Sequence, residues 1–71
     1  MQKFRIPAGI LAEVSDGKTP WRDYRTTKET TFGEPIGRTR SHVTFERDGW
    51  QIRVKPMFVE IFPGVRWQKW K

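Results

Sequence analysis

Hydrophobic and polar residues alternate most clearly between positions 41 and 55, in two short runs that flank Asp48-Gly49. Asp-Gly is a preferred pair for a two-residue type I′ turn, because both central positions of that turn need a positive φ. With this turn in place, Arg47 lies opposite Trp50, and the register continues outward from there. The pattern therefore predicts a β-hairpin whose strand pairing follows from its turn.

The predicted register sorts the side chains of this hairpin into two faces. The apolar face holds Val43, Phe45, Ile52 and Val54. The polar face holds His42, Thr44, Glu46, Gln51, Arg53 and Lys55. A slip of one residue between the strands would mix the two sets, so the hydrophobic pattern supports the register that the turn predicts. At the turn end of the apolar face, Arg47 is expected to lie over the indole of Trp50.

The N-terminal third shows the same two-residue period, interrupted by turn residues. Residues 3–6 are predicted to form a short strand, and the sequence Pro-Ala-Gly at 7–9 interrupts it as a turn or bulge. Alternation resumes over residues 10–14, and residues 15–20 have the composition of a loop. Trp21 follows that loop, and we expect it to fold back as a lid on the core.

Two further runs are predicted to form strands. Residues 22–32 contain four threonines, which favour a strand over the alternative of a helix. The shared face of this strand is not strongly apolar, which indicates an edge position: Tyr24, Thr26, Lys28, Thr30 and Phe32. Residues 57–62 are the most apolar run and are predicted to form a strand with both faces buried. Pro63-Gly64 fits a type II turn, and residues 65–71 fit either a strand or one helical turn.

The sum of these elements is five or six short strands in one small domain spanning residues 1–71, without a convincing amphipathic helix. The fold class is therefore predicted to be all-β, as an SH3-like barrel or a bent antiparallel sheet, with an OB-like barrel as the second choice. One short C-terminal helical turn is compatible with this fold. Four Trp, five Phe and one Tyr are expected to stabilise so small a core.

The amino-acid composition excludes several classes of protein. The chain has no cysteine, which excludes a disulfide framework and a thiolate metal site and suits a reducing, cytoplasmic location. No apolar run approaches the roughly 20 residues that a membrane span needs, and the N-terminus lacks the apolar core of a signal peptide. We therefore expect no membrane association and no cofactor.

The positive charge is concentrated in the second half of the chain. The formal net charge is +6; residues 1–36 hold six Lys/Arg and five Asp/Glu, whereas residues 37–71 hold eight and three. A basic segment with interleaved tryptophans is typical of proteins that bind nucleic acid. The alternative is that the charge serves solubility alone.

The predicted nucleic-acid interface joins the polar face of the hairpin to the basic segments on either side of it. Cations about 5–7 Å apart on a sheet face can contact successive phosphates, and the tail RWQKWK combines a flat ring for a base with cations for the backbone. The predicted contact residues are Arg38, Arg40, His42, Thr44, Arg53, Lys55, Arg66, Lys69 and Trp70. The alternatives are a solvated face with a Glu46–Arg53 pair and tail tryptophans that close the core.

Catalysis is not expected. His42 is the only histidine, and a metal site around it would have only carboxylates as further ligands. Ser41 is not expected to form a catalytic pair with His42, because adjacent strand residues point to opposite faces of the sheet. Glu46 shares the face of His42 but lies roughly 13 Å away along an extended strand, too far to act on one phosphodiester. A ribonuclease set would therefore need Glu60 instead, at a position that only the fold can define.

The sequence thus predicts a non-enzymatic domain that binds nucleic acid. The alternative is a small protein-interaction module or inhibitor that docks on a larger partner, such as a protein encoded by a phage or other mobile element. In that case an SH3-like groove would be lined by Trp21, Tyr24 and Trp50. DNA versus RNA, single versus double strands, and monomer versus dimer stay open, since unpaired strand edges permit a dimer.

Overall fold

The computed structural model describes residues 2–62 and 66–70. These residues form nine short strands and one 3₁₀ turn at Pro56–Phe58. The strands are β1 (Lys3–Ile6), β2 (Leu11–Ser15), β3 (Arg22–Arg25), β4 (Thr30–Phe32), β5 (Gly37–Arg38), β6 (Val43–Arg47), β7 (Trp50–Val54), β8 (Glu60–Phe62) and β9 (Gln68–Lys69). The predicted all-β class is confirmed.

The strands form two antiparallel sheets. One has the order β4-β1-β8-β9 and the other β3-β2-β7-β6-β5. The chain passes from β1 into β2 through a bend at residues 7–10, where Gly9 adopts a φ of +80° that a side chain would disfavour. In the described residues β3 and β4 are edge strands and do not pair with each other, so the bent sheet does not close into a barrel.

The hairpin of β6 and β7 has the predicted register, from Arg47 opposite Trp50 to Val43 opposite Val54. Asp48 and Gly49 have φ values of +52° and +83°, as the predicted type I′ turn requires. The structure contradicts one detail, because the Arg47 guanidinium lies 4.6 Å from the ring centre of Phe32 instead of over Trp50.

Aromatic rings connect the two sheets across the core. Phe45 lies 4.9 Å from Phe32 and 5.8 Å from Phe4, measured between ring centres, and Phe4 lies 5.0 Å from Trp70. The buried apolar residues are Phe4, Ile6, Ala12, Phe32, Val43, Phe45, Val54 and Val59. The expectation that aromatic residues stabilise this small core is consistent with their positions.

The structure divides the predicted strand over residues 22–32 into β3 and β4, which belong to different sheets. The break occurs at Thr26, which is buried. Its hydroxyl donates to the carbonyl oxygen of Pro7 at 2.8 Å and accepts from the backbone N–H of Ile10 at 2.8 Å. These bonds tie the segment to the bend between β1 and β2, and the chain turns there instead of continuing.

Replacing Thr26 with Val should destabilise the fold. Valine keeps the shape of threonine but leaves the N–H of Ile10 without the acceptor it has now, which typically costs about 1–3 kcal/mol. Urea denaturation followed by circular dichroism measures this free energy. Thr27→Val is the matched control, because Thr27 is exposed, and its effect should stay within about 0.5 kcal/mol. Equal effects of the two substitutions would contradict the role assigned to Thr26.

The apolar run 57–62 also differs from its prediction. Pro56 begins a 3₁₀ turn, and Met57 is 60% exposed. Of the run 57–62, only Glu60–Phe62 forms a strand. A proline cannot donate to a strand ladder, which accounts for the delayed start of β8. Gln68–Lys69 pairs with β8, so these two residues of the predicted C-terminal segment form a strand and not a helical turn. The turn predicted at 63–64 lies outside the described residues.

Candidate functional site

A cleft opens where β3 and β4 diverge. It has a volume of about 540 Å³ and lies beside the tip of the β6–β7 hairpin. Its apolar lining includes the buried Phe32 and the half-buried Val14 and Ile52. Tyr24 and Trp50 also line it. The two edge strands thus flank a mainly apolar hollow on the side where the two sheets remain apart.

The aromatic residues of the cleft are far more exposed than those of the core. Trp50 is 53% exposed and Tyr24 is 39% exposed, whereas Phe4 and Phe45 are at 2% or below. Two of the five exposed large hydrophobic residues of the described chain therefore line one cavity. Grouped exposed apolar surface of this kind marks binding sites more often than scattered surface does.

The cleft continues into a second hollow of about 140 Å³ along the turn between β3 and β4. The residues predicted to share one strand face all line this hollow: Tyr24, Thr26, Lys28, Thr30 and Phe32. Their common face thus persists although the strand is broken. Its effect is to carry the cleft from the hairpin tip toward Lys28.

Three cations surround this continuous cleft. Arg22, Lys28 and Arg47 are exposed, and none of them makes an ion pair with the described residues. Arg47 donates a hydrogen bond to the carbonyl oxygen of Thr31, which joins the hairpin tip to the edge of β4. With Asp48 as a lining acid, three positive charges and one negative charge leave a formal charge of +2.

The polar face of the hairpin is organised around an acid from the N-terminal third. Glu13 pairs with Arg53 across β2 and β7, and the Arg53 Nε–H donates to the Glu13 carboxylate at 2.8 Å. His42 Nε2 lies 3.5 Å from the same carboxylate. Thr44 lies opposite Arg53 on β6, and Lys55 lines a small hollow of about 130 Å³ beside them.

The structure therefore brings together the four predicted residues of this face, but not as a purely basic surface. Asp23 lies opposite Glu13 on β3 and lines the same hollow. Trp21 also belongs here, because the Arg53 guanidinium lies 4.2 Å from its ring centre. The prediction that Trp21 forms a lid on the core is wrong: the β2–β3 pairing leaves Trp21 beside Arg53.

The contacts of Glu13 predict a pH-dependent stability. The hydrogen bond from Arg53, helped by the charges of Arg53 and His42 and opposed by partial desolvation, lowers the pKa of Glu13 below its ordinary value. A depressed pKa in the folded state stabilises the protein above the unfolded-state pKa, and this stabilisation is lost as the pH falls through the folded-state pKa. Glu13→Gln should therefore reduce the free energy of unfolding at pH 7 and have less effect at pH 3.

Urea denaturation at the two pH values measures this difference. Glu46→Gln is the matched control, because Glu46 lies on the same sheet face and makes no ion pair with the described residues. A Glu13→Gln effect that is equal at pH 3 and pH 7 would show that the ion pair does not carry the stabilisation.

The remaining predicted residues are spread over other surfaces. Arg38 and Arg40 line a shallow hollow beside Pro56, and the Arg38 guanidinium lies 4.5 Å from the ring centre of Trp70. Arg66 and Lys69 are exposed. The Trp70 ring packs against the core, and its backbone N–H donates to the carbonyl oxygen of Val59. The ring is therefore not an open stacking surface.

Ser41 and His42 contact each other, contrary to the expectation for neighbouring strand residues. Both precede β6 and lie in a turn, where His42 Nδ1 is 3.0 Å from the Ser41 Oγ. The hydroxyl is also 3.2 Å from that of Thr39, and Ser41 does not line the hollow beside His42. Glu13, on the other side of the imidazole, is held by Arg53. The described residues contain no group of three or more side chains suited to a metal ion.

The chain is thus a small all-β domain with an open cleft that is lined by aromatic and cationic side chains. Comparison with family models, with curated proteins and with solved structures finds no match to this chain. Within the described ranges, no helix has the length and hydrophobicity that a membrane crossing requires. Function must therefore be inferred from the chemistry of the site.

Sequence reasoning identified only part of this cleft. The sequence predicts an SH3-like groove lined by Trp21, Tyr24 and Trp50. In the structure Tyr24 and Trp50 line the cleft, whereas Trp21 does not. Arg22 and Lys28 lie in the half of the chain where acids nearly balance bases, so the distribution of charge does not predict them as site residues. The sequence feature that could have indicated Lys28 is the predicted strand face that it shares with residues 24, 26, 30 and 32.

Proposed function

We propose that this domain binds nucleic acid without catalysing a reaction, and that the cleft between β3 and β4 is the centre of its interface. One observation carries the proposal: three cations without an ion pair to the described residues surround two exposed aromatic rings. Nucleic acid presents the complementary chemistry, because phosphates attract the cations and bases have flat faces that stack on rings.

The basic residues outside the cleft extend this surface. Arg38, Arg40, His42, Thr44, Arg53, Lys55, Arg66 and Lys69 remain predicted contact residues, whereas the Trp70 ring packs against the core and is no longer proposed as a stacking surface. Arg53 and His42 are the least suited of the cationic ones, because Glu13 competes with phosphate for them. Arg40, Lys55 and Arg66 are exposed and better placed to contact a backbone that leaves the cleft. Such contacts position the nucleic acid without reading its sequence.

A protein-interaction module is the second candidate function. It is favoured by the mainly apolar lining of the cleft and by β3, an edge strand whose four residues are all exposed. An extended segment of a larger partner could add to such an edge and place side chains in the cleft. A pull-down that survives nuclease treatment and high salt would support this function over nucleic-acid binding.

We expect the affinity for oligonucleotides to fall with rising salt concentration. Each phosphate contact on a single strand contributes about −0.7 to the slope of log K against log salt, so the three cleft cations predict a slope of about −2. Tryptophan fluorescence titration between 50 and 200 mM salt measures it. A slope near zero, or no binding at 50 mM salt, would contradict the proposal.

A further inference from the structure

We infer that the cleft selects single-stranded nucleic acid by taking up an unstacked base against Trp50 and Tyr24, an inference that rests on the proposed function. The two rings line the same cavity and retain 53% and 39% exposure. In a duplex the faces of the bases are covered by their neighbours, so only a single strand can present them to a ring. Stacking on aromatic side chains is how sequence-tolerant single-strand binding proteins hold bases.

The dimensions of the cleft fit a planar group of this size. Its volume of about 540 Å³ lies within the roughly 300–1,000 Å³ typical of small-ligand sites. Val14, Phe32 and Ile52 supply further apolar side chains in the lining of the cleft. A base that leaves water for this hollow gains apolar contact while its edge stays at the open side.

The charges of the cleft fit the rest of a nucleotide strand. Arg22 and Arg47 line the main cavity, and Lys28 lines its continuation, so cations occur along its whole length. A strand that follows this length would bring successive phosphates to different cations. Asp48 and Gln51 supply oxygen acceptors that suit the amino groups of adenine, cytosine and guanine.

An extended peptide fits the same cleft less well. Arg47 already donates to the Thr31 carbonyl at the edge of β4, so a strand added at that edge would have to displace it. The observations therefore favour a base and a phosphate backbone, and an acidic peptide is an outcome that the experiment can detect.

The test compares a single-stranded oligonucleotide of mixed sequence with its duplex of the same length, by fluorescence anisotropy of a labelled strand. The wild-type protein should bind the single strand at least about tenfold more tightly. Trp50→Ala should weaken single-strand binding by about fivefold to 150-fold, the range for losing one stacked base, and change duplex binding little. Trp50→Phe should retain most of the affinity, because it keeps a ring.

Ile36→Ala is the matched control, because Ile36 is 54% exposed and does not line the cleft; it should leave both affinities unchanged. Circular dichroism checks that each variant folds, and Tyr24→Ala provides a second test on another strand of the same sheet. Equal binding of single and double strands, unaffected by Trp50→Ala and Tyr24→Ala, would overturn the inference and leave the proposed function standing. Failure of every oligonucleotide to bind, with saturable binding of a Glu-rich decapeptide, would overturn both.

Discussion

Phe45→Ala is expected to destabilise the fold strongly. The Phe45 side chain is fully buried and contacts the rings of Phe4 and Phe32, so the substitution removes the contact that joins the central hairpin to the other sheet. Truncation of a buried Phe costs about 3–5 kcal/mol. A domain of 71 residues has roughly 4–11 kcal/mol in total, at about 0.05–0.15 kcal/mol per residue. The loss therefore amounts to about a quarter or more of the total.

Urea denaturation measures this loss, and Phe58→Ala is the matched control. Phe58 is half-buried in the 3₁₀ turn and is not part of the core. Its truncation should cost distinctly less than that of Phe45. If both substitutions reduced the free energy of unfolding by the same amount, the placement of the core around Phe45 would be contradicted.

The central hairpin could be predicted because its determinants are local. The turn residues Asp48 and Gly49 and the alternation on either side lie within 15 consecutive positions, and both require the same register. Where the chain departs from its pattern, the cause is distant in sequence. Thr26 bonds to residues 16 and 19 positions away, and no local rule could indicate that the strand would break there.

In the candidate site, too, the features with local determinants could be predicted, whereas those that depend on distant residues could not. The common face of His42, Thr44 and Arg53 follows from the hairpin register, and the structure places them together. The presence of Glu13 among them depends on the pairing of β2 with β7, which sequence alone does not define. Dividing the chain into a neutral half and a basic half was therefore a poor guide to its surfaces, because strand pairing mixes the two halves.

The cleft follows from one topological feature, the divergence of β3 and β4 after Thr26. If the run from Arg22 to Phe32 were one strand, Tyr24 and Phe32 would lie on one sheet with no hollow between them. Because β3 and β4 belong to different sheets, Tyr24 and Phe32 line the cleft from different sheets. The lining of the cleft also includes residues from both halves of the chain. The break that local pattern could not predict is thus what creates the candidate site.

Reversing two cleft charges, in the double variant Arg22→Glu and Lys28→Glu, should strongly weaken single-strand binding. At about 0.7 counterions per phosphate contact, each contact contributes roughly eightfold in affinity at 50 mM salt, so losing two costs roughly 65-fold. Repulsion by the new carboxylates adds to this loss. The slope of log K against log salt should also become shallower by about 1.4. Both residues are exposed, and neither makes an ion pair with the described residues, so folding should be preserved.

The double variant Lys55→Glu and Arg66→Glu is the matched control, because it changes the net charge by the same amount on surfaces outside the cleft. Both residues are exposed and belong to the interface that the sequence predicts. If the cleft is the centre of the interface, this control should lose less affinity than the cleft variant, and its salt slope should become shallower by less. A larger loss in the control than in the cleft variant would move the interface to the outer face of the hairpin and the tail. Equal losses would show that binding depends on net charge alone.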